Sequence, residues 1–173
     1  GMSEFQRGQY RLSPEQLLLG VTRVKLYALL QFTHPGMPCI YYGDEVGMQG
    51  YADPYNRGPY PWGRENEDLR DYFRWLAKER RQSPELTEGD YRPLSPCETV
   101  YGHLRTLEGV ASLVLVNAGN APQTAVVYFP ELYGWRGEDR IHGAAYTVGD
   151  WGRIEAHLAA RSAVWLRSEE RRV

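Results

Sequence analysis

The chain has 173 residues, of which 42% are hydrophobic and 24% are charged, and its formal net charge is -2. This composition is typical of a globular protein with one domain of moderate size or two small ones. The small net charge excludes the basic surface that nucleic-acid binding requires, and no apolar run is long enough to span a membrane. We identify no signal peptide and expect a cytoplasmic protein.

Two helices are predicted in the first half of the chain. Ser13 and Gln16 have the spacing of a capping box and Pro14 suits the first helical position, so a helix is predicted from there to about Thr33. Apolar residues lie on nearly every face of this segment, which is typical of a buried helix. The second helix is predicted to begin near Asn66. Its apolar stripe has four residues at helical spacing: Leu69, Tyr72, Phe73 and Leu76.

The segments that flank these helices carry weaker signals. Residues 3–12 show no periodicity and are expected to form a flexible arm or an irregular lead-in. Arg80 and Arg81 suit the C-terminal end of the second helix, and we interpret them as part of a solvated face.

A short apolar run and a long irregular loop connect the two helices. The run from Cys39 to Tyr42 is bounded by Pro38 and Gly43 and is predicted to be a buried strand, with Cys39 as a small buried hydrophobe. The loop that follows, residues 43–62, is rich in glycine, proline, polar and aromatic residues. A helix, a buried strand, a loop at the strand's C-terminal end and a second helix make one unit of an α/β barrel.

From Tyr91 onward the pattern changes to short strands separated by turn signals. Strands are predicted at 100–106, 113–116, 125–129, 144–148, 154–157 and 163–166, and residues 132–141 are predicted to be a loop. Strands at this spacing indicate an antiparallel sandwich or barrel. The fold class is therefore α+β, and we expect residues 90–173 to fold independently.

The loop region carries a resemblance to a known family. The sequence PGMPCIYYGDEVGMQGYADPYNRGPYPW, residues 35–62, resembles the last barrel strand and following loop of the α-amylase family of glycoside hydrolases, particularly its neopullulanase, cyclomaltodextrinase and maltogenic amylase group. The matching elements are Pro35-Gly36, Pro38, the run 40–45, Asp53-Pro54, Arg57 and Trp62. The resemblance implies that residues 1–89 are the C-terminal portion of a (β/α)8 barrel and residues 90–173 the family's C-terminal β-sandwich domain.

The same resemblance implies that the intact enzyme hydrolyses α-glucosidic bonds in maltooligosaccharides, cyclodextrins or pullulan. It also implies that this chain carries no catalytic residue. The family's three catalytic carboxylates lie on its fourth, fifth and seventh barrel strands, which the chain does not contain. Asp44 and Glu45 are adjacent at a predicted strand end, so their side chains would point to opposite faces and could not form a catalytic pair. We interpret their role as structural, with one of them anchoring loops at the barrel mouth, and expect the chain alone to be inactive.

Asp53 and Arg57 are the candidate substrate-binding residues. Their Asp-Pro-x-x-Arg spacing matches a family pair that binds sugar hydroxyls. A carboxylate can accept hydrogen bonds from these hydroxyls, and a guanidinium can donate hydrogen bonds to them. The alternative is an ion pair that only fixes the loop. The sugar role is favoured in an intact barrel, and the ion pair is favoured in this chain alone.

No cofactor or metal is expected. The cysteines, Cys39 and Cys97, form no CxxC pattern, and the histidines have no acidic or cysteine partner at ligand spacing.

Three functions stay open on the sequence. The chain is the C-terminal part of an α-glucan-hydrolysing enzyme, a non-catalytic carbohydrate-binding or assembly module, or a subunit that completes a barrel supplied by another chain. An α-glucan oligosaccharide is the expected ligand, with weak or absent binding to the chain alone. The apolar helix and strand lack their barrel neighbours, so we also expect a homo-oligomer through residues 14–45. The alternative is that the helix folds back over the strand within one chain.

Overall fold

The computed structural model of the chain describes residues 1–51 and 53–168, and its α-helices all precede its strands. The α-helices are α1 (Glu4–Gln9), α2 (Pro14–Thr33), α3 (Glu67–Arg81) and α4 (Pro84–Thr87). The strands are β1 (Asp90–Cys97), β2 (Val100–Leu107), β3 (Val110–Asn117), β4 (Gln123–Tyr128), β5 (Arg136–Asp139), β6 (Ala145–Thr147), β7 (Arg153–Leu158) and β8 (Ser162–Ser168). None of the helices in the described ranges is long and apolar enough to cross a membrane.

Capping chemistry fixes the starts of the helices. Ser13 caps α2 and forms the predicted capping box with Gln16, and Asn66 caps α3 by accepting from the Leu69 amide. The prediction of an irregular lead-in was wrong, because Ser3 forms a second capping box that begins α1. A helix of six residues is too short to show hydrophobic periodicity, so only its cap could have revealed it.

The expected burial of α2 on nearly every face is also wrong. Its fully buried residues, Ala28, Leu29, Phe32 and Thr33, all lie in its last two turns, whereas Leu18 and Tyr27 are 70% and 69% exposed. α3 packs on one side of α2, and Phe32 meets Phe73 edge to face with ring centroids 6.0 Å apart.

The apolar run before the loop is not a strand. Residues 38–41 have no regular secondary structure and pair with no strand in the described part of the chain, and Cys39, Ile40, Tyr41 and Tyr42 are all exposed. The prediction of a buried strand, with Cys39 as a buried hydrophobe, is therefore wrong for this structure. A strand exists only through hydrogen bonds to a neighbouring strand, and a local sequence pattern cannot supply that neighbour.

The second half of the chain is a sandwich of two antiparallel sheets. One sheet has the order β1-β2-β3-β8-β5-β6, and β4 and β7 form the other. Their facing side chains form a core that includes Leu113, Leu115 and Phe129. The six predicted strands are confirmed, but β1 and β5 were missed. β1 contains Pro93 and Pro96, which are tolerated because it is an edge strand.

The helices cover the outer face of the six-stranded sheet. Every residue of β3 is buried, with Leu113 and Leu115 facing the other sheet and Val114 and Val116 facing α2 and α3. Trp165 of β8 is fully buried on this helical side. The predicted boundary coincides with the start of β1 at Asp90, and independent folding of residues 90–173 stays a prediction.

One arginine joins the helical part to the sandwich. The side chain of Arg105 on β2 is buried, and its guanidinium donates to four backbone carbonyls. The acceptors are Thr33 O at 3.1 Å, Leu86 O at 2.7 Å, Gly89 O at 2.9 Å and Asp90 O at 3.0 Å. They belong to the end of α2, to α4 and to the connection into β1. We call this arrangement the Arg105 clamp.

Arg80 extends the same contact from α3. Its guanidinium donates to the carbonyls of Phe32, His34 and Gly36, which follow one another at and beyond the end of α2. The interpretation of Arg80 as part of a solvated face is therefore wrong, because these bonds satisfy carbonyls that the helix end leaves free.

His103 is fully buried beside the clamp. Neither of its ring nitrogens has a hydrogen-bond partner among the described residues. Burial, helped by the nearby charges of His34 and Arg105, lowers the pKa of His103 to about 4, and the backbone of Thr33 offsets only part of this. The imidazole is therefore neutral in the folded protein at neutral pH.

We expect Arg105→Met to lower the free energy of unfolding by about 3 kcal/mol or more, because it removes hydrogen bonds to a charged group and leaves buried carbonyls without donors. Urea unfolding followed by far-ultraviolet circular dichroism measures this. Arg136→Met is the matched control, since Arg136 is exposed on β5. An Arg105→Met midpoint equal to that of the control would contradict the clamp.

We expect stability to fall as the pH is lowered from about 6.5 to about 4. In this window His103 is protonated in the unfolded chain but not in the folded chain. The free energy of unfolding therefore falls by about 3 kcal/mol across the window. A His103→Leu variant should lose this part of the pH dependence in unfolding titrations. His157→Leu, at an exposed histidine, should keep it. Identical pH profiles for His103→Leu and the unsubstituted chain would show that the buried imidazole does not account for the loss.

Candidate functional site

The loop from residue 43 to 62 begins with a tight turn. Gly43 and Gly47 have φ angles of 97° and 70°, and between them Asp44–Val46 forms one 3-10 turn whose Val46 is buried. A side chain at Gly43 would lie 2.8 Å from the Met48 Cβ, so both the φ angle and the space require glycine. The turn fixes where the rest of the loop leaves the helical part.

Glu45 holds the two ends of the loop together. One carboxylate oxygen accepts from the Gly43 amide at 2.9 Å, and the other accepts from the Tyr60 hydroxyl at 3.0 Å. Burial and this hydrogen bond raise the pKa of Tyr60, whose ring also contacts Trp62 at 4.6 Å between centroids. Glu45 is thus a loop anchor, as interpreted from the sequence. The Tyr60 partner was not anticipated, because two residues 15 positions apart meet only when the loop folds.

Asp44 does not share this arrangement. Its side chain is exposed, and the partial burial of its carboxyl raises the pKa of the group. Because both oxygens of Glu45 are occupied within the loop, the two carboxyls do not form an acid and nucleophile pair.

The structure brings Asp53 and Arg57 together as their spacing predicted. The Asp53 Oδ1 and Arg57 Nε atoms are 2.6 Å apart, and Arg57 lies in a 3-10 turn, Tyr55–Arg57. Their side chains are 60% and 68% exposed, and an ion pair so exposed contributes little to stability, about 0–1 kcal/mol. The second oxygen of Asp53 and the terminal nitrogens of Arg57 have no hydrogen-bond partner among the described residues, so they are available to a ligand. The pair can fix the loop and still present one acceptor and several donors in a set orientation.

A cavity of about 430 Å³ lies behind the loop. Its walls come from α1, α2 and the loop, and include Leu12, Val21, Met48 and Tyr51. Arg7 of α1 donates to the Tyr51 hydroxyl at 3.3 Å, so the helix that the sequence did not predict closes one side of this cavity. Asp53 and Arg57 do not line it.

The described residues contain no group of three or more histidine, cysteine, aspartate or glutamate side chains that could hold a metal ion. The chemistry available at the loop is hydrogen bonding by one ion pair and contact with exposed aromatic rings, of which Trp62 is 79% exposed. This combination suits a neutral ligand rich in hydroxyl groups.

Comparisons with known proteins match both halves of the chain. The family model described as "Alpha amylase, catalytic domain" matches residues 11–90. An amylopullulanase of Thermoanaerobacter thermohydrosulfuricus is 35% identical over 164 residues, which cover 87% of this chain and 11% of that protein. A cyclomaltodextrinase of Thermoanaerobacter pseudethanolicus is 35% identical over 116 residues, which cover 66% of this chain and 20% of the relative.

Solved structures agree with the sequence matches. An α-amylase from Anoxybacillus superposes with a TM-score of 0.78 at 25% identity, covering 88% of this chain and 33% of that one. A debranching enzyme from Nostoc punctiforme superposes with a TM-score of 0.71 at 32% identity, covering 84% of this chain and 31% of that one. The chain thus spans between 11% and 20% of the length of these two curated relatives.

Proposed function

Because this chain belongs to the α-amylase family of glycoside hydrolases, we propose that it carries the last βα unit of a glycosidase barrel with its C-terminal β-domain, and that the intact enzyme hydrolyses α-glucosidic bonds. The observation that carries this proposal is the continuous structural match, which covers 88% of the chain across both the helical part and the sandwich. Maltooligosaccharides, cyclodextrins and pullulan are the proposed substrates. The names of the relatives, amylopullulanase and cyclomaltodextrinase, support this class of α-glucan.

Asp53 and Arg57 are the proposed substrate-binding residues of that intact enzyme. Their contact leaves donor and acceptor atoms exposed, and the anchored loop holds them beyond the end of the apolar run. A sugar hydroxyl could donate to Asp53 and accept from Arg57 at the same time. In this chain alone the pair serves as a loop ion pair, because no other wall of a sugar pocket surrounds it within the described residues.

The chain itself is proposed to lack catalysis. Hydrolysis with retention needs a nucleophile and an acid, two carboxyl groups about 5 Å apart that flank the scissile bond. Glu45 is the carboxylate of the loop best placed for such a role, but both of its oxygens already accept hydrogen bonds from the loop itself. No catalytic residue is therefore assigned.

We expect no release of reducing sugar when the purified chain is incubated with maltotriose, cyclodextrin or pullulan. A sensitive reducing-end assay against a buffer blank tests this. Turnover that Glu45→Gln abolishes and Glu155→Gln preserves would contradict the assignment, because Glu155 lies on β7, away from the loop.

A second candidate function is assembly, and the exposed apolar surface favours it. Met37 is 91% exposed and Tyr41 is 47% exposed in the run after α2, and Leu18 and Tyr27 are exposed on α2 itself. Large apolar side chains left exposed along one segment of chain favour a covering partner. We propose that a second copy of the chain covers it through residues 14–45. A chain that supplies further barrel strands is the alternative occupant.

We expect light scattering to give a mass of at least twice the 19.9 kDa of one chain at micromolar concentration. Leu18→Asp and Tyr41→Asp should each shift the mass toward the monomer, because each places a charge on the apolar surface. Tyr133→Asp is the control, since Tyr133 is an exposed aromatic of the sandwich. A monomer mass that none of these changes alters would rule out self-association through this surface.

A further inference from the structure

A second cavity, of about 470 Å³, opens between the helical part and the sandwich. We call it the helix–sandwich cleft. It is lined by side chains of α2 and α3, by the turn after β5 and by the turn between β7 and β8. Its volume falls within the range of about 300–1,000 Å³ that is usual for ligand pockets. Among the described residues, the lining includes three cations, Lys25, Arg140 and Arg161, and no carboxylate.

Two of these three cations already have carboxylate partners behind the lining. Lys25 donates to Asp68 at 2.6 Å. Arg140 donates through Nε and Nη2 to Glu79, at 3.1 and 3.0 Å, and through Nη1 to Glu138 at 3.3 Å. All three nitrogens of the Arg140 guanidinium are therefore occupied, and neither side chain adds an unbalanced positive charge to the cleft.

The one histidine of the lining is also held by a carboxylate. The Nδ1 atom of His142 lies 2.5 Å from Asp139 Oδ2, and Asp139 Oδ1 accepts from the backbone amides of Ile141 and Trp165 at 3.0 and 3.2 Å. Asp139 is buried and is not part of the lining, so its charge is met by donors of its own turn and of β8.

Arg161 is the cation of the lining that no carboxylate of the described residues balances. Its backbone N–H donates to Gly119 O at 3.1 Å, and its Nη2 donates to Asn120 Oδ1, so both contacts are with neutral groups. Nε is buried and out of reach of a ligand, whereas Nη1 has no partner in the described part of the chain and is not fully buried. Nη1 is therefore the donor that the cleft can present to a ligand.

Aromatic rings form an apolar wall of the same cleft. Tyr72 and Trp75 of α3 have ring centroids 5.4 Å apart and planes inclined by 39°. Trp75 is held from behind by the fully buried Trp165, with centroids 5.8 Å apart, and Lys25 Nζ lies 5.2 Å from the centre of the Tyr72 ring. The two rings are thus fixed in place, and a flat ring of a ligand can pack against them.

We propose that the helix–sandwich cleft binds a small aromatic carboxylate, with its ring on Trp75 and Tyr72 and its negative charge on Arg161. One unbalanced cation favours a ligand with one negative charge, and a guanidinium forms strong charge-assisted hydrogen bonds with a carboxylate. The aromatic wall favours a ligand with a ring over a bare ion. Because both halves of the chain build the cleft, the bound ligand would bridge them and stabilise their contact.

The test is a titration of the full ¹⁵N-labelled chain with phenylacetate at neutral pH and constant ionic strength, followed by the indole N–H signals of its five tryptophans. Trp75 reports on the cleft, Trp62 on the loop and Trp151 on the sandwich. We expect a saturable shift of the Trp75 signal. Phenylacetamide, the neutral isostere, and acetate, which lacks the ring, should each bind about tenfold more weakly or worse, because each loses one of the two contacts.

Arg161→Gln should weaken the binding of phenylacetate about tenfold, because it removes the charge that meets the carboxylate. Arg136→Gln is the matched control, since it removes an exposed arginine of β5 and should leave the Trp75 titration unchanged. The signal of the buried Trp165 in each ligand-free variant shows whether the fold is retained.

Equal binding of phenylacetamide and phenylacetate would overturn the proposal, because the charge would then play no part. Equal binding of acetate would do the same, since the cleft would then hold an adventitious ion only. A Trp75 signal that does not shift, or a folded Arg161→Gln variant that binds as tightly as the unsubstituted chain, would also contradict it. These results concern the chain alone, whereas the proposed hydrolysis is tested by the activity of the intact enzyme.

Discussion

The joint between the helical half and the sandwich depends on the hydrogen bonds of one buried cation, the guanidinium of Arg105. Arg105 has no carboxylate within its clamp, and its charge is met by four carbonyl dipoles from the end of α2, from α4 and from the connection into β1. Those carbonyls lie at a helix end and in a short connection, where backbone groups have no helical partner. The arginine and the carbonyls therefore satisfy one another, and neither side of the joint is complete alone.

A second polar network reinforces the joint a few residues away. The Trp165 indole N–H donates to Ser112 at 3.0 Å, and Ser112 in turn donates to the buried Glu85 at 2.7 Å. Arg167 completes the network by donating to the same carboxylate at 2.7 Å. With α4 tied to the sheet at both Leu86 and Glu85, α2 and α3 have a fixed position on the sandwich. The loop that connects α2 and α3 takes its geometry from that position.

Local chemistry was predictable from the sequence, and tertiary contacts were not. The capping box at Ser13 and the Asp53 and Arg57 spacing each depend on neighbouring residues, and the structure shows both features. The Cys39–Tyr42 run failed as a strand because pairing depends on a partner that no local pattern encodes. The roles of Arg80 and Arg105 could not be predicted, since the backbone carbonyls that they bind come close to them only in the folded chain.

Native-state hydrogen exchange on the Arg105→Met variant tests most directly whether the clamp holds the helices on a sandwich that is stable without it. If it does, the amides of α2 and α3 will lose protection while those of β3 and β8 keep it, because the core between the two sheets does not use Arg105. The same loss of protection in the sheet and in the helices would contradict this account. So would unchanged protection of α2 and α3, which would mean that packing on the sheet holds the helices without the clamp.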